Sequence, residues 1–112
     1  MEKSLSFGDA LEAIKNGKLM TRKGWNGKGM FIFQRAQDYL PISFLLGERS
    51  IPDSVKAYFN RKYQPQTFHY DPKVSFTGYL CMKAADDSIV NGWLASQTDM
   101  LSNDWMEVDF DC

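Results

Sequence analysis

The ten residues Arg22-Lys23-Gly24-Trp25-Asn26-Gly27-Lys28-Gly29-Met30-Phe31 limit the fold of this chain more than any other stretch. Three glycines this close together break a helix and a strand alike, because each carries backbone freedom that regular structure must give up. The flanks are nevertheless strand-like. Leu19 to Lys23 reads as a short strand and Met30 to Arg35 as a longer one, so a glycine turn must join them. Two uses of that turn are open. In the first, Trp25 stacks a base, Arg22, Lys23 and Lys28 meet phosphate, and bare N–H groups at the glycines approach an anion. In the second, Trp25 plugs the core and the lysines are solvated. Taken alone, the ten residues favour the plain hairpin turn, since turns of this composition are common.

Two nucleotide motifs are suggested by the glycine spacing, and neither is met. A dinucleotide fingerprint places its glycines between a strand and a helix, whereas here the order is Gly-x-x-Gly-x-Gly and a strand-like run follows. A phosphate loop needs Gly-Lys before Ser or Thr, and Gly27-Lys28 precedes Gly29. An anion bound here would sit in a hairpin nest instead.

Upstream, Ser6 is placed to cap a helix with Asp9 three residues on, a shorter relative of the capping box. Phe7, Ala10, Leu11 and Ile14 form one apolar stripe, and Asn16-Gly17 supplies the stop. Downstream, residues 36 to 73 hold all four prolines (Pro41, Pro52, Pro65, Pro72) and scattered aromatics. They read as a long irregular insertion, with a short helix opening at Pro52-Asp53-Ser54 and carrying Val55, Tyr58 and Phe59. Val74 to Ala84 reads as strand, Asp86-Asp87-Ser88 as a turn, and Ile89 to Leu94 as its return. Ser96 or Thr98 can cap a helical turn holding Met100 and Leu101, and Trp105 to Phe110 closes as a strand. The expected fold is α+β, an N-terminal helix packed on an antiparallel sheet of about four to six strands. Residues 1–112 are expected to form a single compact ligand-binding domain with the irregular insertion at 36–73.

Charge is nearly balanced, with 13 basic and 14 acidic residues, so duplex DNA is not an expected partner. Cations cluster near the glycine turn, while Asp104, Glu107, Asp109 and Asp111 make the tail acidic. Cys81 and Cys112 fit no metal spacing or disulfide framework, which points to a reduced, intracellular protein. A signal peptide and a membrane span are not expected. His69, between Phe68 and Tyr70, has no partner for catalysis in the sequence around it. No cofactor or metal is implied.

Ser96-Gln97-Thr98-Asp99 sets four hydrogen-bonding side chains in a row between Trp93 and Trp105. The run serves equally as a helix cap with exposed polar neighbours or as a reader of ribose hydroxyls and base edges, its helix start holding an anion. With the glycine turn it gives two such motifs in one small chain.

The stretch Arg22 to Phe31, together with Trp93-Leu94-Ala95-Ser96-Gln97-Thr98-Asp99-Met100-Leu101 and Asp104-Trp105, resembles a family of small phage and prophage proteins. That family is the second type of Thoeris anti-defence protein, formerly a domain of unknown function. The likeness extends to Phe7-Gly8-Asp9-Ala10-Leu11 and Lys15-x-Gly17-Lys18, and covers roughly residues 5 to 35 and 77 to 108. It implies a sponge in the host cytoplasm: a protein that sequesters the cyclic ADP-ribose isomer made in Thoeris immunity without cleaving it. It also implies a homo-oligomer, typically a tetramer, with pockets at subunit interfaces, and in some members capture of cyclic oligonucleotides. The ligand-binding residues that follow are Arg22, Trp25, Asn26, Gly27, Lys28, Met30, Ser96, Gln97, Thr98 and Asp99. On this reading Trp25 stacks adenine, N–H groups at Gly27 and Gly29 meet phosphate, and Lys28 or Arg22 supplies countercharge. Asn26, Gln97, Thr98 and Asp99 fix ribose and base.

Two departures from the family pattern stand out. Residues 36 to 73 are longer than the short form of the family suggests, and Asp87-Ser88-Ile89 stands where Asp-Gly is expected. Two other functions compete. An enzyme degrading the same signal would need a metal cluster, a histidine pair or a nucleophile with a matched base, and Asp99 and Asp104 are the carboxylates that could pair in space. A virion or scaffold protein would use the aromatic-rich middle for contacts.

Overall fold

The computed structural model describes residues 4–26, 28–63 and 72–108. Gly27, Pro65, His69, Cys112 and positions 109 and 110 of the expected closing strand lie outside the described residues. The chain divides into two compact units, Met1–Ala36 with Gly78–Cys112, and Gln37–Thr77. The fold is α+β, as expected, with antiparallel pairing throughout.

In the first unit, helix α1 (Phe7–Lys15) begins where the sequence places it. The Ser6 hydroxyl accepts from the Asp9 N–H at 3.1 Å and the Asp9 carboxylate accepts from the Ser6 N–H, so two of the helix's orphan donors are satisfied reciprocally. Gly17, at φ 88°, ends it. Strands β1 (Met20–Arg22) and β2 (Phe31–Arg35) flank a single 3₁₀ turn, Lys23–Trp25, at the head of the glycine stretch. Strands β5 (Tyr79–Lys83), β6 (Ile89–Asn91) and β7 (Trp105–Glu107) complete a five-stranded sheet ordered β6-β5-β2-β1-β7. Short helix α4 (Gln97–Leu101) precedes β7.

The core of this unit is Ala10, Ile14, Met20, Ile32 and Trp105, each at most 1% exposed. Ala10 and Ile14 are one helical turn apart, so α1 lays its stripe on the sheet face that carries Met20, Ile32 and Trp105. Trp25, Leu80, Met82 and Trp93 pack around them, half-buried. Phe31, Phe33, Cys81 and Lys83 alternate with Ile32, Leu80 and Met82 and so point to the opposite face.

In the second unit, strands β3 (Asp38–Pro41) and β4 (Lys73–Phe76) form a two-stranded antiparallel ribbon. Helices α2 (Ile42–Leu46) and α3 (Asp53–Tyr63) complete it. Ile42, Leu45 and Pro72 are buried, and the Ile42 N–H donates to the Pro72 carbonyl at 2.8 Å. α3 starts at the Pro-Asp-Ser signal, although Val55 and Tyr58 are exposed.

Three expectations are corrected. The Val74–Ala84 run is two strands in two sheets, divided at Thr77-Gly78. β3 and α2, in a region read as irregular, are regular elements. The return strand stops at Asn91, because Gly92 takes φ 75°.

Candidate functional site

Arg22 ends β1 two residues after core residue Met20, so it projects from the same sheet face. There its guanidinium joins the two sequence motifs. Nη1 donates to Asp99 Oδ1 at 2.7 Å, Nε donates to Asp104 Oδ1 at 2.9 Å, and Nη2 lies 3.4 Å from Asp104 Oδ2. The Gly24 N–H donates to Asp104 Oδ2 at 2.8 Å and the Lys23 N–H to the Asp104 carbonyl at 3.1 Å. This fork geometry suits arginine, whose planar donors match a carboxylate pairwise.

Glycine is favoured at position 24 by approach rather than by dihedral angle, because a side chain there would displace the paired ends of Arg22 and Asp104. A Cβ there would stand 2.9 Å from both Arg22 Nη2 and Asp104 Oδ2. The backbone N–H of the glycine stretch does meet an anion, and at Gly24 that anion is the protein's own carboxylate.

α4 carries the second motif. Ser96 is its cap: the Asp99 N–H donates to Ser96 Oγ at 3.0 Å and the Ser96 N–H donates to Asp99 Oδ2 at 3.1 Å. The expectation that this helix start offers free N–H groups to an anion is thereby corrected at positions 96 and 99, where the capping box uses them. Both Asp99 oxygens are engaged, and Asp99 is 8% exposed. Trp105 Nε1 donates to the Asp99 carbonyl at 2.9 Å, anchoring α4 to the core.

The three tryptophans meet over this network. Trp25 contacts Trp105 at 5.3 Å between centroids and Trp93 at 6.2 Å, and Trp93 contacts Trp105 at 6.5 Å, all edge to face. Trp25 is therefore partly the core plug that the turn reading predicts, while retaining exposed surface.

Electrostatically the hub is negative. Two carboxylates surround one guanidinium, a balance of one negative charge. Burial pushes the Asp99 carboxyl up, but hydrogen bonds from Arg22 and the Ser96 N–H outweigh it and hold the group below its ordinary value. Arg22, first of all, holds the Asp104 carboxyl down as well, and the Asp104 hydrogen bond raises Arg22. A carboxylate pair that divides general-acid and general-base work needs its two values pushed apart, one upward. Here both move down, so both groups are ionised at neutral pH. Among the described residues, no group of three or more His, Cys, Asp or Glu is placed to hold a metal ion.

Of the residues singled out in the sequence, Arg22, Trp25, Ser96 and Asp99 are brought together by the contacts above. Asn26, Lys28, Gln97 and Thr98 are exposed on the same two segments, and Met30 is half-buried at the entry to β2. Asn26 takes φ 60° and Gly29 φ 76°, which folds the stretch back toward β2. Gly27 lies outside the described residues. Sequence reasoning left Asp104, Trp93 and Trp105 out of the ligand-binding set and named Asp104 only as a carboxylate that an enzyme could pair with Asp99. The two tryptophans bracket the polar run, and that bracketing was the available signal. For the pairing of Asp104 with Arg22, 82 residues away, no local signal exists.

Residues 5–108 match the family described as the Thoeris anti-defense 2-like domain. A known relative, Thoeris anti-defense 2 of Bacillus phage SP01, is 35% identical over 105 residues, which is 94% of this chain and 96% of the relative. The family span takes in the middle unit as well as the two motif-bearing segments. No described helix is long and apolar enough to cross a membrane.

Proposed function

The chain belongs to the Thoeris anti-defense 2-like family, and from that premise we propose that it blocks Thoeris defence by binding and sequestering a cyclic ADP-ribose isomer without cleaving it. The observation that carries this reading is the joining of the glycine stretch to the 93–105 segment through Arg22 and the three tryptophans. Aromatic rings from two distant segments meet there, and the same two segments carry exposed polar groups, the composition of a site for a stacked base and its ribose.

The roles within the site divide as follows. Trp25 stacks adenine with its exposed surface. Asn26, Gln97 and Thr98, exposed on the two segments, bond ribose and base. Arg22, Ser96 and Asp99 hold the segments in register, and Lys28 and Met30 line the loop that meets the phosphates. The whole chain acts as one ligand-binding domain in the host cytoplasm, assembled as a homo-oligomer, and the segment around residues 36 to 73 is inserted in it.

Sequestration rather than acid-assisted cleavage is supported by the lowered carboxyl values of Asp99 and Asp104, which leave the hub with no carboxylic acid to protonate a leaving group. Isothermal titration of the protein with the cyclic ADP-ribose isomer tests the reading. Saturable binding with a dissociation constant below about 1 µM, some 8 kcal/mol, is expected of a competitor for a signal. The absence of heat and of any change in tryptophan fluorescence would contradict it.

A further inference from the structure

Arg22 is committed to two carboxylates, so a dianionic ligand must find its countercharge elsewhere. We propose that Lys83 on β5 is a cation of the phosphate subsite, acting with Lys28 at the loop leading into β2; the inference rests on the proposed capture of a cyclic ADP-ribose isomer. Lys83 pairs with Phe31 in the β2–β5 ladder. Its ammonium stands 5.5 Å from the Phe31 ring centroid, and a Cβ on Gly29 would lie 3.4 Å from it. The loop can fold this close to the ammonium because Gly29, at φ 76°, carries no side chain. Lys83 ends β5 on the face opposite the tryptophans, beside Phe31 at the start of β2, and its ammonium approaches the loop at Gly29.

The partner of Lys83 is of a kind that an incoming anion can replace. Asp87 Oδ1 accepts from Lys83 Nζ at 2.8 Å, but the Asp87 side chain is 84% exposed against 18% for Lys83. An exposed carboxylate is fully hydrated when released, so exchanging it for a phosphate oxygen costs little. The ammonium itself is held in place by the strand and the Phe31 ring, ready for a fixed acceptor. Arg22 differs on both counts, since its carboxylates are largely enclosed.

Titration calorimetry with the cyclic ADP-ribose isomer on wild type, Lys83→Met, Lys83→Arg and Asp87→Asn tests this. Asn tolerates the φ of 70° at position 87, so Asp87→Asn removes the competing charge and keeps the turn. Lys83→Met is expected to weaken binding at least about tenfold and Lys83→Arg to stay within about threefold of wild type, as loss and retention of a charge-assisted contact require. Asp87→Asn is expected to tighten binding about threefold by freeing the cation. A wild type that binds beside a Lys83→Met that binds equally well overturns the inference and leaves the capture reading standing. Weakening in Lys83→Met without tightening in Asp87→Asn makes Lys83 merely structural and also overturns it. If Lys83→Met does not fold, Asp87→Asn decides alone. A wild type that does not bind removes both readings.

Discussion

Arg22 donates from Nη1 to Asp99 Oδ1 at 2.7 Å and ties the end of β1 to a helix 77 residues away. Both side chains are only 11% exposed, so the pair is a structural joint. Removing one member of an enclosed pair leaves the other charge unpaired, which costs about 3 kcal/mol. Arg22→Ala is therefore expected to lower unfolding stability by that amount in urea titration, and Arg22→Lys to recover little, because a point charge cannot serve Asp99 and Asp104 together.

Gly24→Ala places a methyl 2.9 Å from Arg22 Nη2 and Asp104 Oδ2. The expected loss is about 1 to 2 kcal/mol, as for overpacking elsewhere. In the double variant Gly24→Ala, Asp104→Ala the added loss should shrink, because the obstructing carboxylate is gone. Equal losses in both backgrounds would mean that the clash is not the cause.

Trp25 is both packing and binding surface. Trp25→Ala is expected to cost about 2 kcal/mol, less than a fully buried tryptophan would, and to abolish ligand capture. Trp25→Phe keeps the ring on Trp105 and is expected to retain the fold while weakening capture. Full capture by a folded Trp25→Ala would remove Trp25 from the site.

Acid should release the joint. Asp99 and Asp104 are both held below the ordinary 3.8, so the unfolded chain takes up protons first as pH falls. Their stabilisation is complete well above that value, declines as pH drops through it, and is gone below the folded-state values. Unfolding free energy measured from pH 6 to pH 2.5 is expected to fall through the lower half of that range, and less steeply in Asp104→Asn.

Local rules made parts of this fold legible. The Ser6 and Ser96 caps each need only a carboxylate three residues on, and both capping boxes are present. The Phe7-to-Ile14 stripe needs only helical period. The sequence misled at Thr77-Gly78, where a single glycine inside one strand-like run is read as a strand residue although the run serves two sheets. β3 and α2 were hidden by their brevity and by Pro41, which ends one and precedes the other. The site was half legible. Its motifs stood out by composition, but charge pairing across 77 and 82 residues is set by topology, so Arg22 and Asp99 read as ligand-facing when their charges are spent on each other. Lys83 was passed over as a strand residue, although Asp87 four positions on was a visible partner.

Capture without cleavage is tested most directly by mixing the purified protein with the cyclic ADP-ribose isomer, filtering, then heating the retained protein and assaying the supernatant. The account predicts that the signal disappears from the filtrate and returns intact on heating, in proportion to the protein added. Disappearance with recovery only of a hydrolysed product would contradict it and make the protein an enzyme.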